Sequence, residues 1–351
     1  MEKMIVAVLF GGCSNEYEVS LQSAYSVITH MDPQKYEIVL IGITKEGRWY
    51  RYYGSAENIL NDTWCADEAN CTPAIFSPNR YENHLLEEET NGQVVKTMID
   101  LVFPVLHGKN GEDGTLQGYL ELAGIPYAGC DTLSSALCMD KDRAHKLAAL
   151  EGIRTPASVV FSRSALIEEI IAETDQLKLP LFVKPVKSGS SIGITLVNER
   201  DELPSAVAEA FSHDERVIIE EFINGFEVGC AILGNDDLIV GEVDEIELET
   251  GYFDFKEKYS LTTSKIHMPA RIDEELKAKV KDTGIKIYHA LGCSGLARVD
   301  MFITPNGEIV FNEVNTFPGF TDHSRYPNMM KGIGLTFSEI IDQLIQLGLE
   351  R

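Results

Sequence analysis

The chain has 351 residues, a length that exceeds one ordinary hydrophobic core and predicts two or three domains. Its composition, 44% hydrophobic and 24% charged, is ordinary for a globular protein. The formal net charge of −25 argues against a surface for nucleic acid or anionic membrane, because such a surface needs clustered Lys and Arg.

The seven cysteines include no C-x-x-C pair, which favours reduced thiols in the cytoplasm over a disulfide framework or a zinc site. The amino terminus, MEKMIVAVLFGG, lacks the layout of a signal peptide, and no run of 18 apolar residues is present. We therefore expect a cytoplasmic protein without membrane insertion.

The first 130 residues alternate apolar, strand-like runs with helical patterns, which predicts a parallel sheet with helices on its faces. Strands are predicted over 5–10, 36–44 and 99–108, and helices from near Val19 and over 115–124. Residues 54–95 are polar and weakly patterned, and we assign no element to them.

Glu16, His107 and Glu112 lie in loops directly after predicted strands. Ligands bind at the carboxyl ends of parallel strands, so we expect these three side chains at one edge of the sheet. A lone histidine in a glycine-rich loop such as LHGKNGEDG is by itself more often structural than functional.

The central segment begins with MDKDRAHKLAALEGIRTP (139–156), a helical pattern that ends at Gly152 and Pro156. A strand then leads into KPVKSGSSIG (184–193), whose small residues let backbone N–H groups approach phosphate oxygens while Lys184 adds charge. The stretch is not a Walker A loop, and a surface hairpin carrying a lysine is the alternative.

Glu220 and Glu221 end another predicted strand, where a carboxylate can accept hydrogen bonds from an adenine amino group or a ribose hydroxyl. A solvated strand edge is the alternative interpretation. Residues 251–270 lack periodicity and predict a long loop, which in a compact domain is usually a functional lid or disordered. Helices are predicted over 273–291 and from about Phe337.

The stretch RVDMFITPNGEIVFNEVNTFPG (298–319) predicts a β-hairpin around a two-residue Asn306-Gly307 turn. In that register Asp300 lies opposite Glu313 and Arg298 lies opposite Asn315, all on one face. The other face is predicted to be apolar, with Val299, Met301, Ile303, Val310 and Val314.

Opposed like charges destabilise a strand pair, so a positive group should lie between Asp300 and Glu313. Mg²⁺ meets this need, because it is usually held by one or two carboxylates together with substrate phosphates. A solvated hairpin face with scattered charges is the alternative, and a three-residue loop would shift the pairing.

These segments together resemble the ATP-grasp superfamily and, within it, the D-alanine–D-alanine ligase family. The resemblance covers essentially the whole chain. Within the family, the chain is especially similar to the glycopeptide-resistance D-alanine–D-serine ligases of the G type. The motifs that carry it are LFGGCSNEYEVSLQSA, FPVLHGKNGEDGTLQGYLELAGIPYAG, MDK, FVKPVKSGSSIG, FEVG, ARVDMF and FNEVNTFPGFTDHSRYP.

The resemblance implies an α/β fold with an α+β centre, in ATP-grasp architecture. It implies an N-terminal parallel α/β domain (1–133), a central ATP-grasp subdomain (134–222) and a C-terminal ATP-grasp subdomain (223–351) with a lid at 251–266. It also implies ATP as a substrate, two Mg²⁺ ions for which Mn²⁺ can substitute, and a homodimer.

The family's site residues carry over to matching positions of this chain. The resemblance implies Asp300, Glu313 and Asn315 as metal ligands, and a nucleotide site of Lys141, Lys184, Glu220, Glu221, Ile223 and Glu227. It implies catalytic roles for Glu16, Ser190, Tyr259, Arg298 and the backbone N–H of Gly319, and substrate contacts from His107, Lys258, Ser324 and Arg325.

The implied roles follow the family's reaction, in which ATP phosphorylates the first D-alanine and a second amine attacks the acyl phosphate. Glu16 resembles the residue that holds the first ammonium group, with His107 near that substrate's carboxylate. Ser190 resembles the serine over the phosphates. Arg298 and Gly319 resemble the pair that stabilises the tetrahedral intermediate.

Two positions bear on the second substrate. Lys258-Tyr259 resembles the lid pair of dipeptide-forming members, and Arg325 stands where D-alanine–D-alanine ligases usually have leucine. A guanidinium suits a hydroxyl or a carboxylate better than a methyl group. Arginine also occurs at this position in ligases of the D-lactate type, so it is the lid tyrosine and Arg325 together that favour D-serine. Asp322 departs from the serine expected beside His323. The alternatives are a D-alanine–D-alanine ligase and an ATP-grasp protein that only binds nucleotide.

Overall fold

The structure is a computed structural model that describes residues 3–80, 82, 84–88, 91–190, 192–248 and 264–351. Its strands are β1 Met4–Gly11, β2 Tyr36–Ile43, β3 Trp49–Tyr52, β4 Cys71–Phe76, β5 His84–Glu88, β6 Val94–Met98, β7 Leu101–Pro104, β8 Ser158–Ser162, β9 Leu181–Pro185, β10 Thr195–Val197, β11 Arg216–Glu221, β12 Phe226–Leu233, β13 Ile239–Leu248, β14 Ser264–His267, β15 Leu296–Ile303 and β16 Ile309–Asn315.

The helices follow in the same order. They are α1 Tyr17–His30, α2 Ala56–Leu60, α3 Thr115–Ala123, α4 Thr132–Met139, α5 Lys141–Leu150, α6 Ile167–Thr174, α7 Leu203–His213, α8 Glu274–Ala290, α9 Arg325–Lys331 and α10 Phe337–Leu349. None of the helices in the described part of the chain is long and apolar enough to cross a bilayer.

The first sheet has the order β6-β5-β4-β3-β2-β1-β7. Its parallel part consists of the three predicted strands, since β1 pairs in parallel with both β2 and β7. The unassigned region 54–95 contributes much of the rest, because β4, β5 and β6 extend the sheet in antiparallel pairs. The predicted parallel sheet is therefore confirmed only at one end of the observed sheet, over β2, β1 and β7.

Two antiparallel sheets form the rest of the molecule, so the predicted mixed α/β class is confirmed. The central sheet has the order β10-β9-β11-β8, and the C-terminal sheet has the order β14-β13-β12-β15-β16. The central sheet packs on α6 and α7 around its own apolar cluster, which includes Val183, Leu203 and Val217.

The N-terminal and C-terminal parts share one apolar core. Val8 of β1 and Leu21 of α1 belong to the same buried cluster as Ile341 and Leu344 of α10. At the edge of this contact, the Tyr36 hydroxyl donates to Asp342 at 2.8 Å. This cluster therefore joins the proposed N-terminal and C-terminal domains, whose boundaries stay a prediction.

Two predicted segments differ in their bounds. The helical pattern from Met139 to Pro156 forms α5, which begins after Asp140 because that carboxylate accepts from the N–H of Arg143 at 3.1 Å. The lid prediction of 251–266 extends too far, because residues 264–266 belong to β14, and the remainder of the lid lies outside the described residues.

Candidate active site

The hairpin of β15 and β16 has a three-residue loop, so the predicted two-residue turn is wrong. Thr304 donates its N–H to the carbonyl of Glu308 at 3.0 Å, and Gly307 donates to the carbonyl of Thr304 at 2.8 Å. Gly307 has φ +78°, a backbone angle that residues other than glycine rarely adopt. This loop shifts the adjacent pairing by one residue, so that Ile303 lies opposite Ile309.

A β-bulge restores the predicted pairing at the other end of the hairpin. Met301 lies opposite Phe311, the next residue Asn312 is extra, and Asp300 then lies opposite Glu313. The opposition of Arg298 and Asn315 is likewise confirmed. Because the pairing near the loop is shifted by one residue, Phe311 takes the place on the apolar face that was predicted for Val310. It belongs to the same buried cluster as Val299, Met301 and Val314.

Protein cations lie against both opposed carboxylates. Arg298 donates to Asp300 through Nε at 2.8 Å and Nη2 at 2.7 Å, and the Asn315 amide donates to Asp300 at 2.9 Å. Lys141 Nζ lies 3.6 Å from Glu313 Oε2. The positive charge that the pairing requires is therefore supplied in part by Arg298 and Lys141.

Arg325, at the start of α9, has a buried guanidinium held by carboxylates of the C-terminal sheet. Nε and Nη2 donate to the two oxygens of Asp244 at 2.8 Å each, and Nη1 donates to Glu227 at 2.9 Å. Nη1 also lies 3.3 Å from Asp300. A Cβ at Gly229 would lie 2.4 Å from Nη2, so this glycine makes room for the guanidinium.

Asp244 is a site residue that the sequence did not reveal. It is fully buried on β13 opposite Gly229, whose N–H it accepts at 2.9 Å. Its segment, GEVDEIELET, carries several acids, so nothing local distinguishes this one. The glycine of the FEVG motif was the available signal, because a strand glycine marks a close approach.

The predicted nucleotide side is assembled around β9 and β11. Lys184 donates to Glu220 at 2.6 Å, and Lys141 donates to the carbonyl of Ser188 at 2.5 Å. Ile223, two residues after the end of β11, is buried. Burial raises the pKa of Glu220, but the adjacent cations, Lys184 foremost, outweigh it and hold the pKa below its usual value.

The Glu221 side chain does not join this group. Its carboxylate accepts from the N–H of Ala157 at 3.0 Å and lies 3.6 Å from Arg154. Successive side chains point to opposite faces of a strand, so Glu221 faces away from Glu220. A nucleotide contact by Glu221 would therefore have to use its backbone.

Glu16 and Ser190, two of the predicted catalytic residues, contact each other. The Ser190 hydroxyl donates to Glu16, which joins the Gly/Ser loop to the first βα loop of the N-terminal domain. Ser190 has φ +51°. Gly108, at φ +71°, leaves room for the Glu16 carboxylate, because a Cβ added at Gly108 would lie 2.6 Å from Glu16 Oε2. A cavity of about 290 Å³ borders Glu16, Gly108 and Gly189.

His107 and Glu112 share the predicted sheet edge with Glu16. His107 Nδ1 lies 3.7 Å from Glu112, and burial raises the pKa of that carboxyl. Burial opposes the charged form of His107, but Glu112 and Glu16 raise its pKa above the usual value.

Both ring nitrogens of His107 have protein partners. Nδ1 donates to the carbonyl of Phe317 at 2.9 Å, and Nε2 lies 3.1 Å from Ser23 Oγ. Ser23 Oγ also accepts from the N–H of Phe320 at 3.1 Å. His107 therefore holds the loop around Gly319, and the ring has no nitrogen left for the predicted substrate carboxylate. Ser23 was missed because its partners are distant in sequence.

The remaining predicted residues divide into two groups. Among the described residues, no acceptor is bonded to the N–H of Gly319, and Ser324 Oγ accepts from Thr321 N–H at 2.9 Å. Lys258 and Tyr259 lie outside the described residues, so their place in the lid stays a prediction.

The donor set of the hairpin fits a divalent ion that nucleotide phosphates would help to hold. Two carboxylates face each other across β15 and β16 with one amide beside them, which is the partial shell that Mg²⁺ accepts. No cluster of three or more His, Cys, Asp or Glu side chains suited to a metal occurs in the described ranges. A site made by protein side chains alone is therefore not indicated there.

Comparison with known proteins agrees with this arrangement. Two family profiles match, described as the D-ala D-ala ligase N-terminus over residues 5–130 and the D-ala D-ala ligase C-terminus over 147–346. The chain belongs to the D-alanine–D-alanine ligase family. It is therefore an ATP-dependent ligase that forms a peptide bond and works with a divalent metal, and the alternative of nucleotide binding alone is dropped.

Similar family members carry several names. A crystal structure described as the VanG D-Ala:D-Ser ligase from Enterococcus faecalis is 60% identical, with a TM-score of 0.91 over 99% of this chain and 100% of that chain. The vancomycin C-type resistance protein VanC1 of Enterococcus gallinarum is 45% identical over 98% of both chains. A D-alanine–D-alanine ligase of Caldicellulosiruptor bescii is 45% identical over 100% of this chain and 96% of its own.

Proposed function

We propose that this ligase joins D-alanine to D-serine through a D-alanyl phosphate, producing D-Ala-D-Ser for peptidoglycan precursors in vancomycin resistance. The observation that carries the proposal is the anchoring of Arg325 by buried Asp244. Asp244 and Glu227 accept three of the five guanidinium N–H groups. Nη1 also lies 3.3 Å from Asp300, so the guanidinium is held in one orientation and one N–H of Nη2 is left for a substrate hydroxyl.

In the first step, ATP phosphorylates the carboxylate of D-alanine, and two anions must approach each other. Lys184 and Lys141 bring positive charge to the Gly/Ser loop, and the Glu16–Ser190 contact closes this loop over the substrate. Glu16 holds the ammonium group of the first D-alanine. Mg²⁺, held by Asp300, Glu313 and Asn315, would neutralise charge on the transferred phosphoryl group.

In the second step, the neutral amine of D-serine attacks the acyl phosphate and a negative oxygen develops. The intermediate then breaks its C–O bond to phosphate, so that inorganic phosphate leaves, the nitrogen loses a proton and the peptide bond remains. The N–H of Gly319 and the guanidinium of Arg298 stabilise this oxygen. Water must be excluded, or the acyl phosphate hydrolyses. Lys258 and Tyr259 are proposed to close the lid against water, with Tyr259 bonded to Glu16 and Ser190.

The test is a competition assay with ATP, Mg²⁺, D-alanine and an equal concentration of D-serine, read by mass spectrometry of the dipeptides. We expect D-Ala-D-Ser to dominate. D-Ala-D-Ala as the main product would instead assign this chain to the second candidate, a D-alanine–D-alanine ligase, which the relative from Caldicellulosiruptor bescii supports.

The metal assignment has its own test in Glu313→Gln. This substitution relieves the opposition to Asp300 but also removes the carboxylate 3.6 Å from Lys141, so we expect the fold to be kept and the stability without metal to change little. Most Mg²⁺-dependent turnover should be lost. Near-normal activity at a millimolar Mg²⁺ concentration would exclude Glu313 as a ligand.

A further inference from the structure

A buried histidine lies between the two predicted binding regions. His145 of α5 is one helical turn after Lys141 and is 4% exposed. Its Nε2 lies 2.8 Å from the carbonyl oxygen of Asn312. A carbonyl only accepts, so Nε2 carries the proton and donates it. The acceptor is the extra residue of the bulge, directly before Glu313.

The other side of the ring faces the nucleotide side. Nδ1 lies 3.6 Å from Glu220 Oε1 on β11, and neither buried atom has a hydrogen-bond partner. The ring also contacts Phe311 edge-on, with centroids 5.4 Å apart. His145 therefore bridges the central sheet, which carries Glu220, and the C-terminal hairpin, which carries Glu313.

We propose that His145 is a positioning residue for the metal site, which holds the bulge carbonyl of Asn312 and thereby fixes the direction of the Glu313 carboxylate. The inference rests on the proposed metal role of Glu313. His145 itself contacts neither metal nor nucleotide.

The bulge explains why such a donor is needed. An extra residue is left out of the strand ladder, so its peptide group is not oriented by the partner strand. On one side, Phe311 is held by its N–H bond to the Arg154 carbonyl at 2.9 Å. On the other side, the peptide of Asn312 leads into Glu313, and the bond from His145 sets its rotation.

The experiment compares His145→Leu, which removes the donor, with His145→Gln, whose amide nitrogen stands near the place of Nε2. Mn²⁺ is titrated into each variant with ADP present, and free Mn²⁺ is measured by electron paramagnetic resonance. We expect His145→Leu to weaken Mn²⁺ binding by about 2- to 13-fold, the factor for one lost neutral hydrogen bond. His145→Gln should remain within about twofold of the parent protein.

Steady-state kinetics provide a second readout. In His145→Leu the Mg²⁺ concentration for half-maximal activity should rise by the same factor, while kcat at saturating Mg²⁺ recovers. A purely structural role would lower kcat at every Mg²⁺ concentration, and that result would overturn the proposal. If His145→Leu does not fold, His145→Asn, whose amide is too short to reach Asn312, takes its place with the same expected loss.

Glu313→Gln is the control that separates this inference from the proposed site. If Glu313→Gln loses Mn²⁺ binding while His145→Leu binds Mn²⁺ normally, the inference is wrong and the metal site stands. If Glu313→Gln binds Mn²⁺ normally, the metal site is wrong and the inference falls with it.

Discussion

At the scale of single residues, Arg325, which we propose selects the second substrate, is part of a buried network of ion pairs. Arg325 is 8% exposed, and its partner Asp244 is fully buried. Removing one member of a buried pair is costly because the other charge is left without compensation. A selectivity test at this position must therefore treat the two residues together.

We predict that Arg325→Leu lowers the free energy of unfolding by about 3–5 kcal/mol, because Asp244 keeps its charge and loses its cation. Adding Asp244→Asn should recover much of this loss, since the amide oxygen can still accept from Gly229. Urea denaturation of the single and double variants measures both effects. A single variant as stable as the parent would show that the pair of Arg325 and Asp244 contributes nothing to stability.

The double variant then tests substrate choice without the stability defect. A site that hydrogen-bonds a hydroxyl loses its preference when its donors are removed. We predict that the ratio of kcat/KM for D-serine to that for D-alanine falls roughly 10- to 100-fold. An unchanged ratio would mean that the hydroxyl is recognised elsewhere.

Ser23 gives a second prediction, because its hydroxyl contacts both His107 and the N–H of Phe320. Ser23→Ala should loosen the loop that carries Gly319 and slow dipeptide formation about 2- to 13-fold, the factor for roughly 0.5–1.5 kcal/mol. Phosphate release without dipeptide should rise relative to ligation. Ser26→Ala, in the same helix, is the matched control, since Ser26 Oγ bonds only to Gln22 O at 3.2 Å. Equal effects of the two variants would contradict the prediction.

The sequence revealed the site residues that lie in contiguous motifs, such as Lys184 in its Gly/Ser loop and Asp300 in its hairpin. It did not reveal Asp244, Ser23 or His145, because the partners that place them in the site (Arg325, Phe320 and Asn312) are between 81 and 297 residues away. Contacts of that kind depend on how the sheets pack, which local patterning does not encode.

At the scale of elements, apolar runs were the reliable signal. The run Ile5–Phe10 predicted β1 because a strand covered on both faces is apolar throughout, and Val6 to Phe10 are fully buried. Residues 54–95 could not be assigned, because their strands lie toward the edge of the sheet and expose alternate side chains, as in β4. In such a segment too few neighbouring residues are apolar for the hydrophobic pattern to predict a strand.

The turn of the β15–β16 hairpin provides an element-scale prediction. Gly307 has φ +78°, and a Cβ there would meet nothing within 4 Å. The cost of a side chain is therefore conformational only, and we predict that Gly307→Ala lowers the unfolding free energy by about 1–2 kcal/mol. Gly307→Asn should cost less, because Asn tolerates this region. Thermal denaturation measures both, and equal losses would show that the left-handed backbone is not the cause.

At the scale of the whole molecule, the shared core makes the N-terminal and C-terminal parts one structural unit. Ile341 of α10 is fully buried in the cluster that also contains β1 and α1, whereas the central sheet has a separate cluster. Among the described residues, one core cluster therefore joins the N-terminal and C-terminal sheets, while the central sheet has a cluster of its own.

We predict that Ile341→Ala lowers the unfolding free energy of this unit by about 2–5 kcal/mol, the usual cost of such a truncation in a core. Amide hydrogen exchange should speed up in β1 and α1 as well as in α10, and should change little in β9 and β11. Val217→Ala, in the central cluster, should give the reverse pattern. Faster exchange everywhere in both variants would show that the molecule unfolds as one unit.

The bulge at Asn312 makes the active site tolerant of length changes at the tip of the hairpin. In an ordinary hairpin a slip of one residue turns every side chain to the opposite face. Here a chain one residue shorter at the tip could close with a two-residue loop and keep the bulge, or keep the three-residue loop and lose the bulge, and either hairpin would place Asp300 opposite Glu313. A single deletion at the tip can therefore be absorbed before it reaches the carboxylates. In evolutionary terms, the tip is free to change its sequence or to accept an inserted peptide, while the opposed carboxylates four strand positions away keep their register.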